Sequence, residues 1–436
     1  MGIQDGIREP ADDDGSINIC SADSGIQADP SQLFVAAEIG DDSAGCTEQT
    51  PCRTIGAAIA TAEGHSEFHL IYVASINPKN NKGVGVYPES ITPPAGMEIQ
   101  GGWYARGSNP TVQWQQVCDA TIEDQTANIS GTDSAAIHAE NLNGSTTLTK
   151  VVVKTKSPAP GESVYGIFAG ASAKIVLNQV RLDVGNAGDG NTGTTGTDGD
   201  PGSSTCMIPG TGAPGADGKG GAPAPLAVFN ATGAVSANGT SGEDGDFGSN
   251  GLVGPDGGCA NCVTCVVGSS CGNPAAKQCG SGGMAGCAGT GGTGGGAGQS
   301  GGSSIGIFAW GSLVSVNGGI VHSGKGGSGG LGGLGGKGGI GSNGGEGMQS
   351  STCDTSCLNL GISCGSTGTG KGSAGGPGTP GGRGGNGGTG AIGAGGDSVA
   401  IVSGLDASIL TDAGDPVDIA AGAAGDPGGL SGARFP

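Results

Sequence analysis

The chain has 436 residues, of which 100 are glycine, 22 proline and 14 cysteine, and aromatics make up 3%. So few aromatics exclude a conventional globular core of this length, and the lack of any apolar run near about 18 residues excludes a spanning helix. The formal net charge of −21 argues against nucleic acid and anionic membranes as partners, since both need basic surfaces; it permits a divalent cation such as Ca²⁺ without requiring any cofactor.

Residues 1–30 read as an acidic flexible leader, with Asp12, Asp13 and Asp14 in a row and Cys20 near its end. Met1 to Asp14 carries no export signal. The chain is nevertheless expected outside the cell or at its surface, following a removed signal, because an even number of cysteines points to disulfides in an oxidising compartment. Four Asn-x-Ser/Thr sequons, including those at Asn128 and Asn230, are read as chance in so Ser-, Thr- and Asn-rich a chain.

A short strand is predicted at Leu33–Ala36, then a loop through Gly40-Asp41-Asp42 with Cys46 and Cys52. A helix follows, because Ile55, Ala58, Ile59 and Ala62 recur at i, i+3, i+4, i+7 and form one apolar face. Further strands are expected at Leu70–Ala74, Tyr87–Ile91 and Gly96–Trp103, with Cys118 shortly beyond. The run FVA…GDD…C…PCRTIGAAIATA…IYVA…Y-x-E-x-I…P-x-G-x-x-I-x-G-G-W over about residues 33–103 resembles the N-terminal cap of right-handed parallel β-helix proteins of the pectate-lyase-like class. The resemblance implies a fold. It implies no activity, since that cap precedes enzymes and non-enzymes alike.

Beyond the cap a degenerate repeat runs through Ala136-Ile137-His138-Ala139, Gly166-Ile167-Phe168-Ala169, Ala227-Val228-Phe229-Asn230, Gly306-Ile307-Phe308-Ala309 and Ala400-Ile401-Val402-Ser403. Four of these are followed by Asn178, Asn238, Asn317 or Asp412, read either as a stacked turn ladder or as ordinary turn residues. Units that cannot bury a face alone indicate a solenoid, here of at least five rungs. The first two repeats lie 30 residues apart, and the later gaps are 61, 79 and 94 residues. The excess is glycine-rich, so three inserts, at about 185–222, 239–303 and 323–397, are expected to leave from one edge. The organisation is then a leader (1–30), a β-helix cap with first rungs (31–120) and rungs carrying the inserts (121–436).

Within 326–347, GGSGGLGGLGGKGGIGSNGGEG, every third residue bears the side chain: Ser328, Leu331, Leu334, Lys337, Ile340, Asn343 and Glu346. A flexible spacer needs no such register, whereas a three-residue-per-turn helix places every third side chain on one ridge. Each insert has an outgoing leg, a cysteine-bearing tip and a returning leg. The tips and adjoining legs hold Cys206 in the first, Cys259, Cys262, Cys265, Cys271, Cys279 and Cys287 in the second, and Cys353, Cys357 and Cys364 in the third. Six legs suggest a bundle of left-handed polyglycine-II helices. Such a helix has no internal hydrogen bonds, so neighbouring legs must supply them at about 0.5–1.5 kcal/mol each, with disulfides adding about 2–4 kcal/mol. If Cys20, Cys46, Cys52 and Cys118 pair among themselves, the odd count in the first insert predicts a bridge from Cys206 to a neighbouring insert. Slack linkers are the competing reading; collagen fails for want of long Gly-X-Y runs. At about 3.1 Å per residue, a leg of roughly 20–25 residues reaches on the order of 60–75 Å. The glycine blocks resemble the polyglycine-II sandwiches of certain bacteriophage tail-fibre adhesins and the six-helix snow flea antifreeze protein, which implies receptor binding by tips or ice binding by a flat face.

Chemistry is sparse. Cys259-x2-Cys262-x2-Cys265 could suggest zinc or iron–sulfur, but Cys271 does not follow at ferredoxin spacing and no proline comes after it, so disulfides are expected. Asp41-Asp42 reads as a turn, Lys150, Lys154 and Lys156 as the solvated face of one strand, Arg181 and Asp183 as a surface ion pair, and His138 as packing. No Ser-His-Asp set, P-loop or carboxylate pair is present. The expectation is an all-β, non-enzymatic, secreted or cell-surface structural and adhesive protein that binds a surface or polysaccharide ligand, or copies of itself. The alternatives are a polysaccharide lyase or hydrolase, a self-assembling layer or filament subunit, and ice binding.

Overall fold

The computed structural model describes residues 29–76, 85–107, 112–117, 127–140, 144–204, 206–263, 274–350, 373–412 and 416–435. Among the described residues the chain is all-β apart from one helix. The cap contains β1 (Gln32–Val35), α1 (Ile55–Ala62), β2 (Leu70–Ile76), β3 (Val86–Tyr87), β4 (Glu98–Arg106) and β5 (Gln113–Gln116). Next come β6 (Ala127–Ser130), β7 (Ala135–Ala139), β8 (Ser145–Thr149), β9 (Val151–Lys154), β10 (Val164–Ala169) and β11 (Lys174–Asp183). Two hairpins follow, β12 (Val228–Asn230) with β13 (Gly233–Val235), and β14 (Cys259–Val263) with β15 (Pro274–Cys279). The chain closes with β16 (Ser304–Trp310), β17 (Leu313–His322), β18 (Ser398–Gly404), β19 (Ser408–Thr411), β20 (Val417–Ala420) and β21 (Ser431–Phe435).

The helix buries the four predicted residues Ile55, Ala58, Ile59 and Ala62. Its N-terminus is held twice: the Thr54 side chain accepts the Ala57 N–H, and the Glu89 carboxylate accepts the N–H groups of Ile55 and Gly56 at 2.8 Å each. These are the donors a helix start leaves unpaired. Asp42, expected in a turn, serves the same corner by accepting the N–H groups of Arg53 and Thr54.

Parallel pairing arranges the strands in three columns. The first runs β1, β2, β4, β8, the first half of β11, the first half of β17, and β19. The second runs β3, β6, β9, the second halves of β11 and β17, and β20. The third is β7, β10, β16, β18, β21. From β7 onward the chain visits third, first and second columns in rotation. All three face one interior, where Ile137, Ile167, Ile307 and Ile401 stack in the third column, Leu148, Leu177 and Val316 in the first, and Val153, Leu182 and Val321 in the second. Each such aliphatic contributes about 1.5–3 kcal/mol when fully buried.

The first-to-second corner is set by left-handed residues at successive levels: Lys150 (φ 50°), Gln179 (φ 52°) and Gly318 (φ 70°). Lys150 therefore sits between two strands, and Lys150, Lys154 and Lys156 do not share one strand as the alternation suggested. Beside this corner Asn317 and Asn178 do stack, and Asn178 continues to Thr149 at 3.4 Å. Asn238 has no place in that ladder; its side chain accepts the Ser300 N–H instead.

One predicted rung is corrected. Residues 227–230 do not enter the third column, because β10 pairs directly with β16. They form the antiparallel hairpin β12–β13, which packs its apolar side on the outside of that column: Phe229 lies 6.5 Å from Phe308, and the Tyr165 hydroxyl accepts the Ala234 N–H. The first two glycine inserts are thus a single excursion, 184–303, that comes back to the columns midway, at the hairpin. Connections 155–163, 184–303, 323–397 and 421–430 all leave the second column and rejoin at the third, so they stack at one corner.

Candidate functional site

The two long excursions supply six glycine-rich legs: leg 1 (185–203), leg 2 (210–222), leg 3 (239–258), leg 4 (280–303), leg 5 (324–348) and leg 6 (373–397). None contains regular secondary structure, yet all are joined by backbone hydrogen bonds recurring every third residue. Gly190, Gly193, Gly196, Gly199 and Gly202 of leg 1 donate to the carbonyls of Ser328, Leu331, Leu334, Lys337 and Ile340 of leg 5. Leg 4 is central. Thr290, Thr293 and Gly296 donate to leg 1, and Gly286, Gly289 and Gly292 to leg 6. Leg 4 accepts in turn from Gly333, Gly336 and Gly339 of leg 5 and from Gly242, Gly245 and Gly248 of leg 3. Leg 6 likewise contacts legs 5, 4, 3 and 2. These pairings define two rows, 1–4–3 and 5–6–2.

Glycine content follows position. Leg 6 has four neighbours and keeps two glycines in most triplets, whereas legs 1 and 2 sit at the ends with two neighbours and largely keep one. A methyl group on Gly384 would be driven into the Thr290 carbonyl, and one on Gly335 into the Gly387 carbonyl. Only a backbone without Cβ permits that approach.

The side-chain ridges point outward. On leg 5, Leu331, Leu334 and Ile340 are 62%, 67% and 72% exposed, and Lys337, Asn343 and Glu346 share their ridge. On leg 6, Pro377, Pro380, Arg383 and Thr389 are exposed and Asn386 half-buried. The row 5–6–2 face is therefore an apolar and basic surface on a strongly acidic chain. Row 1–4 carries a hydroxyl array, in which Thr293 bonds both the backbone and the hydroxyl of Thr197.

Three disulfides lie among the described residues. Cys46–Cys52 closes the cap loop. Cys206, at the turn after leg 1, is bonded to Cys287 of leg 4. Cys259–Cys279 closes the β14–β15 hairpin between legs 3 and 4. Cys20, Cys118, Cys265, Cys271, Cys353, Cys357, Cys364 and the side chain of Cys262 lie outside the described residues, as does the leader to residue 28.

At the base of the bundle Asp397 is 2% exposed. One carboxylate oxygen accepts the Leu430 N–H and the other has no partner among the described residues; burial pushes its pKa up. The residues weighed for chemistry are elsewhere and apart. Arg181 pairs with Asp183 at 2.7 Å, and His138 stacks on Phe168 with centroids 5.2 Å apart. No cluster of three or more His, Cys, Asp or Glu able to hold a metal occurs among the described residues, and no helix among them is long and apolar enough to cross a membrane. No known family model, curated protein or solved structure matches the chain.

Proposed function

We propose that the chain is a secreted or cell-surface structural and adhesive protein. In this reading the three columns are a right-handed parallel β-helix, the handedness that parallel crossovers take almost without exception. The six legs are polyglycine-II helices that project from it and carry stapled tips to a surface ligand or partner. The observation that supports it best is the every-third-residue bonding of legs that all leave one corner of the coil. A slack linker would gain nothing from that register, and ordering so much glycine costs about 1–2 kcal/mol per residue. Disulfides at the leg 1 turn and at the leg 3–leg 4 hairpin suit an exported molecule.

Deleting 255–280 and measuring binding on glycan arrays and whole cells tests the tip as the binding element. Binding is expected to fall with the deletion while the folded signal of the columns persists. Undiminished binding would remove the tip from the reading. The exposed ridge of Leu331, Leu334 and Ile340 favours a second reading, lateral assembly of copies into a layer or filament. Negative-stain microscopy and light scattering of Leu331→Ser/Leu334→Ser/Ile340→Ser against the parent separate the two.

A further inference from the structure

Where the third column turns into the first, away from the bundle tips, two adjoining open surface depressions share Asp406. One, of about 370 Å³, is lined by Phe229, Trp310, Leu405 and Asp406 among others. The second, of about 510 Å³, is lined by Ser172, Lys174, Ser312, Asp406 and Ser408. Both open to solvent, so a ligand would lie along them rather than be enclosed. Together they make one cleft, aromatic at one end and hydroxyl-lined and charged at the other.

The aromatic end is rigid. The Trp310 ring lies parallel to Phe308, 5° from coplanar with centroids 6.0 Å apart, and covers Gly404 of the next strand so closely that any Cβ there would enter the indole. The hairpin β12–β13 adds Phe229 to the lining, 6.5 Å from Phe308. The rim is formed by Leu405 (φ 48°) and Asp406 (φ 61°), two successive non-glycine residues held left-handed, with Ser172 (φ 62°) at another level of the same corner. This is the same corner conformation that Lys150 and Gln179 adopt between the first and second columns; here it carries the Asp406 side chain at the edge of the cleft. Among the described residues neither the Asp406 carboxylate nor the Lys174 ammonium has a hydrogen bond or ion pair to another residue, so both are available to a ligand.

We propose that this cleft binds pyranose units of a neutral glycan. A flat aromatic ring offers a face to the apolar C–H side of a sugar ring. Asp406 accepts from its hydroxyls, Lys174 donates to them, and Ser172, Ser312 and Ser408 do either. Trp310, Phe229 and Asp406 alone would also suit a quaternary ammonium by cation–π attraction, but Lys174 in the polar half opposes a cation. An acidic glycan is opposed by Asp406 and by the net charge of −21. The site is separate from the tips and does not rest on the reading given to them.

The test uses the full chain with cellohexaose, xylohexaose, mannohexaose and chitohexaose as probes, choline as the competing class, and tryptophan fluorescence with calorimetry as readouts. Trp103 and Trp114 are 7% and 4% exposed, so a saturable emission change reports Trp310. At least one oligosaccharide is expected to bind. Asp406→Asn, at an exposed position whose φ asparagine tolerates, is expected to weaken it about tenfold or more, and Trp310→Ala to abolish the emission change. Deletion of 255–280 should leave this binding intact even if cell binding is lost. No binding of any sugar, binding of choline alone, or sugar binding that Asp406→Asn leaves unchanged would each overturn the proposal.

Discussion

Asn317 donates a hydrogen bond to Asn178 at 2.8 Å, and the 139 residues that separate them recur well away from the coil. The same separation relates Lys325 to Asn186, Ser328 to Asp189, Lys337 to Asp198 and Ser342 to Ser203. The pairing of β11 with β17 therefore continues without slip into legs 1 and 5. On the returning side, the 94-residue offset of Asp397 from Ser303 is also that of Ser398 from Ser304 in β18 and β16. The columns set the register in which the legs meet.

That inheritance makes the bundle sensitive to chain length in a particular way. Deleting Gly193 alone shifts every later side chain of leg 1 off its ridge. Deleting 192–194 keeps the three-residue phase and changes only the partner level. Amide exchange at Gly196, Gly199 and Gly202 is expected to rise markedly in the single deletion and less in the triplet deletion; equal effects would show that phase does not matter.

Close approach of backbones predicts a contrast between ridge and interior. Gly384→Ala places a methyl against the Thr290 carbonyl and should cost about 1–3 kcal/mol, as overpacking does. Leu334→Ser, on the exposed ridge, should change stability by no more than about 0.5 kcal/mol. Denaturant midpoints of the two variants check the difference.

The Cys206–Cys287 bridge spans 81 residues and ties the far end of leg 1 to the central leg. Cys206→Ser with Cys287→Ser is expected to lower stability by about 2–4 kcal/mol, with faster exchange concentrated at the tip end of legs 1 and 4. Loss spread evenly into the columns would contradict a local staple.

Asp397 sets a pH dependence of unusual sign for a carboxylate. Burial raises its folded pKa above the ordinary value of 3.8, and Glu89, also raised chiefly by burial, acts in the same direction. In the folded state each holds its proton to higher pH than in the unfolded chain, so its contribution favours folding at low pH and is lost as pH rises from the ordinary value through the folded one. Asp397→Asn, a neutral mimic of the protonated form, should reduce the fall in stability across that window. Unfolding titrations over roughly pH 4–7 compare the slopes.

Much of the architecture is legible in the residues, and the part that is not has identifiable reasons. The apolar face of α1, the inward isoleucines of the third column and the triplet glycines declare themselves through period, because burial acts on every turn. The hairpin at 228–235 is missed because Val228-Phe229 carries the same apolar pair as a rung; only its antiparallel pairing and its docking on Phe308 distinguish it. The corner at Lys150 and Gln179 is equally hidden, since neither residue type announces a left-handed turn and the stacking of levels imposes it. The cleft at Asp406 draws Phe229, Trp310 and Lys174 from separate strands, and no local spacing relates them. The tie from Cys206 to another insert is suggested by cysteine parity, whereas Cys287 as its partner is visible only once leg 4 is seen to be central.

Site-resolved amide hydrogen exchange across 326–347 tests the ordered bundle most directly. In leg 5 the N–H groups of Gly330, Gly333, Gly336 and Gly339 are bonded to carbonyls of leg 4. The predicted result is slow exchange at these four positions, with faster exchange at the following ridge residues Leu331, Leu334 and Ile340, while the Lys337 N–H, held by the Asp198 carboxylate, stays slow. Uniform exchange at the unprotected rate, measured with the disulfides intact, would contradict it.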